Sequence, residues 1–370
     1  MEVIRHTKLK QMSGLSEQEL AEFKPIEEKF VFRSNSYYER LINWEDPHDP
    51  IRRLIIPDKS ELQEWGDLDA SEEFTYTRAP GLQHKYRDTA LLLINDVCSA
   101  YCRFCFRKRL FLADNDEVVR DVSLGMEYIA SHAEITNVLL TGGDPLVLSV
   151  SKLKPIIEQI RSVSHVNIIR IGTKMPAFEP QRLTRDASLL DLIRTHSAGE
   201  KKIYIMAHFT HPRELTSESL ECLDALQHAG AITVNQTPMI AGINDHPDVL
   251  AELLSRLSYS GVTPYYVFQC RPTLGNKSYA VPVETACQIF GQAQTRCSGL
   301  AKRARFVMSH ATGKVEVMAV SDGFVYMKYI QAASPSDENR FMIFRSNSDA
   351  YWLDDYLEAT TPAAVKPANV

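Results

Sequence analysis

The chain has 370 residues, 44% of them hydrophobic and 24% charged, with a formal net charge of −6. That is ordinary composition for a globular protein with a large core, and nothing in the overall charge favours nucleic acid or anionic membranes. No apolar run reaches membrane-spanning length, MEVIRHTKLKQMSG at the N-terminus has no secretory apolar region, and seven cysteines is an odd count for a disulfide framework, so a reducing cytoplasm is expected.

Residues 1–84 read as a polar, mainly helical extension. SEQELAEF (16–23) opens with Ser16 and carries Glu19 three positions on, the pattern of a capping box. WEDPHDPIRRLIIP (44–57) is punctuated by proline and reads as a connector. From residue 85 to about 300, short apolar runs alternate with helix-length segments. The runs are ALLLI (90–94), NVLLT (137–141), NIIRIGT (167–173), IYIMAHF (203–209), AITVNQ (231–236) and YYVFQ (265–269). Continuous apolar strands separated by helices predict an α/β fold with a parallel sheet, and six of them suggest a partial barrel. Polar residues gather where these strands end, among them Thr141, Asp144, His208, Gln236 and Arg271, and chemistry in parallel α/β folds sits at those ends. Residues 301–370 form a third part. KVEVMAVSDGFVYMKYIQA (314–332) predicts a β-hairpin about Ser-Asp-Gly, DAYWLDDY (349–356) is expected to help cover one mouth of the barrel, and TTPAAVKPANV (360–370) reads as a loose tail.

CSAYCRFCFRKR (98–109) follows the first apolar run. It spaces Cys98, Cys102 and Cys105 as C-x3-C-x2-C, with Arg103, Arg107, Lys108 and Arg109 beside them. Thiolates suit zinc or an iron–sulfur cluster. A structural zinc site closes with four ligands, and no fourth partner stands at finger-like spacing. A cubane on three thiolates leaves one iron able to chelate a small molecule.

The stretch resembles the cysteine loop of the radical S-adenosylmethionine (SAM) superfamily, and in detail the lysine 2,3-aminomutase family. DPHDPIRRLIIP, VLLTGGDPL, RIGTKMPAFEPQRLT, HFTHPRELT, TVNQTPMIAGINDHP and PYYVFQC are similar to stretches of that family in the same order, over about residues 38–332. The resemblance implies a partial (β/α)6 radical SAM barrel with an N-terminal helical extension and a C-terminal hairpin or lid. It implies a [4Fe–4S] cluster on Cys98, Cys102 and Cys105. SAM would bind the open iron, with Phe104 near its adenine, Thr141, Gly142, Gly143 and Asp144 at its methionyl end, and Gln236 on the cofactor side. Cleaved SAM would yield a 5′-deoxyadenosyl radical for 1,2-amino migration. An electron donor such as flavodoxin or ferredoxin is implied; association into a homo-oligomer is left open.

The family also uses pyridoxal phosphate (PLP), bound through a C-terminal lysine. Lys314 in RFVMSHATGKVEVM stands at the matching place, although a solvent-facing lysine opening a strand would look the same. Arg107 matches the family's residue for the substrate α-carboxylate. Three departures bear on cofactor and substrate. YRDT (86–89) puts Thr89 where the family offers an arginine to the PLP phosphate, leaving Arg87 and Lys85 as candidates to replace it. FQCRP puts Arg271 where the family has an aspartate that reads the distal ammonium of lysine. Ser309 and His310 stand in the region of the family's second such aspartate. Free lysine is therefore expected to be a poor substrate, and an acidic or hydrogen-bond-accepting side chain a better one. A structural ion pair of Arg271 with Glu284 or Asp245 is the plainer alternative. A PLP-independent reaction on the same scaffold, and modification of a protein-bound lysine, are the other readings. The zinc-binding cysteine cluster of some members has no match, with His246 where one ligand would fall. Cys222, Cys270, Cys287 and Cys297 read as small buried hydrophobes. His208 and His211 read as either cofactor contacts or satisfied structural histidines.

Overall fold

The structure, a computed structural model, describes residues 3–112 and 114–359. The expected tail, 360–370, lies outside the described residues. Twelve strands form one mixed sheet in unbroken sequential order. β1 (Thr77–Ala79) and β2 (Leu82–Tyr86) precede the parallel run and pair antiparallel. Seven parallel strands follow: β3 (Thr89–Asn95), β4 (Asn137–Gly142), β5 (Ile168–Thr173), β6 (Lys202–Ala207), β7 (Ile232–Pro238), β8 (Thr263–Phe268) and β9 (Arg305–His310). A long helix lies between each successive pair, from Ser123–Ser131 to Val283–Thr295. β10 (Gly313–Ser321), β11 (Phe324–Ala332) and β12 (Phe341–Arg345) extend the far end antiparallel.

Alternation along the strands assigns the two faces. Ala90, Leu92 and Ile94, Val138 and Leu140, Ile169 and Ile171, and Ile203 and Ile205 all point into one core with helix residues such as Ile129, Leu153 and Leu223. Burying each such side chain stabilises the fold by roughly 1.5–3 kcal/mol. The residues between them, including Leu91, Leu139, Arg170 and Gly172, line a cavity on the other face. The sheet curls around that cavity. Laid flat, β3 and β9 would be about 29 Å apart at the usual strand spacing. Yet Lys85 on β2 donates a hydrogen bond to His310 O on β9, and Tyr76 OH donates to Ala311 O at 2.7 Å.

The six expected parallel strands are all present, and β9 makes a seventh. Its Phe306, Val307 and Met308 are buried, but the apolar run is three residues long between polar ends and carries little signal of its own. The hairpin forms as expected, with Asp322 at φ 53° and Gly323 at φ 78° closing the turn. The capping box also forms: Ser16 Oγ accepts from Glu19 N–H at 3.3 Å, and Glu19 accepts from Ser16 N–H at 2.8 Å. Two readings of the extension differ from the structure. Its last residues supply β1 and β2, and the expected connector contains the helix Pro50–Ile55. Pro50 in the first turn starts that helix because its missing N–H would have no partner there, and Asp49 caps Ile51 and Arg52 at 2.9 and 2.8 Å. Ile51, Leu54 and Ile55 sink into a core shared with Ala100 and Phe104 of the cysteine loop.

Candidate active site

The cysteine loop leaves the end of β3 and is pinned from outside the sheet. Tyr101 N–H donates to Arg33 O and Arg103 N–H to Leu54 O, both at 2.9 Å. The Arg103 guanidinium grips Glu61 through two bonds of 3.0 and 2.7 Å, with side chains 3% and 0% exposed. Ser99 Oγ donates to Glu179 at 2.6 Å and accepts from Asn35 at 3.0 Å. Burial pushes all three thiols up, Cys102 to about 12. Asp144 and the sister thiols raise Cys98 further. Such thiols keep their protons until a metal's charge replaces them. Among the described residues, no three His, Cys, Asp or Glu side chains converge as ligands of a single ion. A cubane does not ask for that, because each of its irons takes a different thiolate.

The turn after β4 lies against the start of this loop. A Cβ on Gly142, at φ 119°, would sit 2.3 Å from Asn95 O, and one on Gly143 would sit 2.6 Å from Val97 N and O. Only glycine permits that approach. Asp144 is buried and its carboxylate is fully used. It accepts from Thr173 Oγ1 at 2.8 Å and from the N–H groups of Lys174, Met175 and Leu146 at 2.7, 3.2 and 3.0 Å. Burial raises its pKa to about 6 against those hydrogen bonds. In this arrangement Asp144 ties the end of β5 to the turn. His208 is the opposite case. It is half-buried at the cavity wall, desolvation and Lys174 keep it neutral, and its enclosed Nε2 has no partner among the described residues. His211 stands apart from the cavity and accepts from Arg213 N–H at 3.2 Å.

Arg107 and Arg271 converge on one carboxylate that the sequence did not signal. Glu73 accepts from Arg107 Nε at 3.0 Å and Nη2 at 2.9 Å, while Arg107 Nη1 donates to Thr141 Oγ1 at 2.9 Å. Arg109 reaches Glu73 at 2.9 Å, and Arg271 Nη1 lies 3.5 Å from it with the guanidinium 3.7 Å from the centre of the Phe106 ring. Burial alone would raise the Glu73 pKa; Arg107 and Arg271 outweigh it and hold it well below the carboxylate range. Arg271 therefore does pair, but with Glu73. Glu284 is engaged by Ser346 and Asn347, and Asp245 by Gly242 N–H. Of the other two cations of the loop, Lys108 is buried and Arg109 half-buried. Arg109 is held by Glu73 and Glu117, while the Lys108 Nζ has no hydrogen-bond partner among the described residues and lies 4.5 Å from the Phe30 ring centre.

Lys314 opens β10, opposite Ser309 of β9, and turns into the cavity. It donates to Gln331 at 3.2 Å and lies over the Tyr86 and Tyr266 rings at 5.2 and 5.0 Å. Burial, then Arg170, Lys85 and Arg271, lower its pKa to about 7. It is thus not the solvent-facing lysine that its place at a strand start allowed.

One cavity of about 320 Å³ brings together the residues that the resemblance assigned to cluster, cosubstrate, substrate and PLP. Cys98, Cys102, Cys105 and Phe104 line it with Thr141, Gly142, Gly143 and Asp144. Arg107, Gln236, Arg271 and Lys314 line it as well. Cys270 also reaches it, whereas Cys222, Cys287 and Cys297 are buried elsewhere.

No family model matches the chain. A protein of Aquifex aeolicus named "Putative L-lysine 2,3-aminomutase" is 51% identical over 351 residues, 95% of this chain and 94% of that one. The chain belongs to the lysine 2,3-aminomutase family of radical SAM proteins. The L-lysine 2,3-aminomutase of Clostridium subterminale is 36% identical over 71% of this chain and 62% of its own length. The glutamate 2,3-aminomutase of Clostridioides difficile is 32% identical over 79% of this chain and 62% of its own length.

The cofactors of this family can be tested against the donor set. The three thiols share one pocket wall and bear on one another electrostatically, which suits the cluster. The His208 Nε2, unpartnered among the described residues, and the glycine turn lining the same cavity suit a polar cosubstrate. Lys314, with an amine that is largely neutral above pH 7, suits a carbonyl cofactor. Of the two residues offered in place of the family's phosphate arginine, Lys85 lines the cavity, whereas Arg87 is exposed and outside it. Among the described residues, no helix is long and apolar enough to cross a membrane.

Proposed function

We propose that this chain is a radical SAM aminomutase built on a partial (β/α)6 barrel. It would carry a [4Fe–4S] cluster on Cys98, Cys102 and Cys105 and PLP on Lys314, and move an amino group between adjacent carbons of an amino acid other than free lysine. When bound, the reduced cluster supplies the electron that splits SAM into a hydrogen-abstracting radical, and PLP supplies a carrier for the migrating nitrogen. The observation that carries the reading is the single cavity holding the thiols, the arginine pair and a lysine whose pKa is lowered to about 7.

The substrate class rests on the arginines. Arg107 presents two N–H groups side by side to Glu73, the arrangement in which a guanidinium holds a carboxylate. Glu73 thus occupies the position suited to a substrate carboxylate. With Arg109 matched by Glu117 and Asp69, Arg107 and Arg271 face one carboxylate between them. Arg271, the more loosely held of the two at 3.5 Å from Glu73, lines the cavity, where its guanidinium repels a lysine ammonium and favours an acidic side chain. A relative named as a glutamate 2,3-aminomutase supports an acidic substrate on this scaffold.

The test is anaerobic reconstitution with SAM, with and without PLP, against L-lysine, L-glutamate, L-aspartate and L-arginine. Expected are 5′-deoxyadenosine release that depends on reduction and a β-amino acid product from an acidic substrate only with PLP. Turnover of L-lysine above that of both acidic substrates would falsify the charge argument, and reduced enzyme that leaves SAM intact would remove the radical reading.

A further inference from the structure

Arg170 and Lys85 stand beside Lys314 on the cavity wall, and neither makes an ion pair among the described residues. Arg170 is on β5, where Ile169 and Ile171 turn into the helix layer and Arg170 turns inward. Its Nε is enclosed without a hydrogen-bond partner among the described residues. Among the described residues Lys85 gives one hydrogen bond, to His310 O, and its Nζ lies 5.0 Å from the Tyr76 ring centre. The carboxylates that bear on this group are Asp88, whose Oδ1 accepts from Thr89 Oγ1 at 2.9 Å, Glu73, held by its arginines, and, on Lys85, Glu72 and Asp69; none of them forms an ion pair with Lys85, Arg170 or Lys314 among the described residues. A guanidinium and an ammonium on an inward sheet face are costly without an anion between them.

Residue 89 cannot supply that function here, because Thr89 carries no charge and its hydroxyl is turned to Asp88. Arg87 is exposed and away from the cavity. We infer that Arg170 and Lys85 form the subsite for a phosphate monoester dianion, the phosphate of the cofactor held at Lys314. The inference rests on the PLP reading given above. The charges balance. Two cations meet a dianion, and the planar guanidinium suits two phosphate oxygens at once. The free Nε supplies one of the donors such a contact needs. The tyrosines Tyr86 and Tyr265 wall the same end of the cavity and bring hydroxyl donors without charge.

The experiment uses full-length reconstituted enzyme, titrated separately with PLP and with pyridoxal, which lacks the phosphate. Borohydride trapping and peptide mass spectrometry report occupancy of Lys314 without reference to turnover. Wild-type protein should take PLP at least tenfold more tightly than pyridoxal, and inorganic phosphate should compete with PLP but not with pyridoxal. Arg170→Gln and Lys85→Met should each weaken PLP capture about tenfold or more and leave pyridoxal capture unchanged. Arg87→Gln should behave as wild type. Equal wild-type affinities for PLP and pyridoxal overturn the inference even if both variants fail to fold. So does PLP capture lost in Arg87→Gln and kept in Arg170→Gln. A wild-type protein labelled on Lys314 by neither compound brings down the PLP reading itself, and the subsite with it.

Discussion

The two ends of the cavity are built on opposite principles. At the cysteine end, protein partners answer most of the polar groups. Arg103 has Glu61, Ser99 has Glu179 and Asn35, and Asp144 has four donors. At the lysine end, Lys85, Arg170 and Lys314 crowd together without an ion pair among the described residues, and Lys85 and Lys314 are both lowered to about 7. The first end is held in place by the protein's own hydrogen bonds and ion pairs, as a rigid cluster site would require. The second is left electrostatically unsatisfied, so an anionic cofactor or substrate that enters relieves a cost already present in the fold.

Four measurements break or sharpen that contrast. The largest effect belongs to Cys102→Ala, expected to abolish SAM cleavage and lower bound iron after reconstitution while the far-UV dichroism of the apoprotein is retained. Retained SAM cleavage would show that the thiol is not a cluster ligand. Next is Glu61→Ala, which strands a buried Arg103 and should cost about 3–5 kcal/mol in urea unfolding. A loss below about 1 kcal/mol would mean that the cysteine end is not held as described.

Glu73→Gln should cost less, about 1–3 kcal/mol at pH 7, because its hydrogen bonds are charge-assisted but open to the cavity. The Glu73 pKa is depressed, so its contribution is present above the ordinary value of 4.5 and is lost as pH falls below it. The variant should therefore show a shallower acid limb of stability than wild type, and superimposable limbs would refute the account. The smallest effect is a shift in a profile. Only neutral Lys314 attacks a carbonyl, so the rate of PLP capture should rise with pH and level off above about 7. A rise continuing toward 10 would mean that the neighbouring cations do not act on Lys314.

Legibility followed the range of the interactions. The capping box, the glycine turn and the hairpin turn depend on residues a few positions apart, and each formed where the sequence placed it. The charges of the cavity did not show in this way. Arg271 stood out because it replaced an expected aspartate, but its partner Glu73 lies in a polar stretch of the extension with no pattern to mark it. Arg170 sits within the apolar strand run NIIRIGT, and nothing in that run marks it as facing a cavity. Lys108 carries no sign of burial in the sequence, since a cation in a basic run is usually exposed. Its burial follows from packing against Phe30 of the extension.

The sequence by itself determined the three-thiol loop, the strand–helix alternation and the glycines that let the turn approach the loop, because spacing along the chain is enough to specify each. Only the tertiary structure decided which charges meet. Curling the sheet brings Lys85 onto His310, 225 residues away, and sets Arg170 beside Lys314. Electrostatic neighbourhood depends on distance through space, and no one-dimensional pattern encodes it.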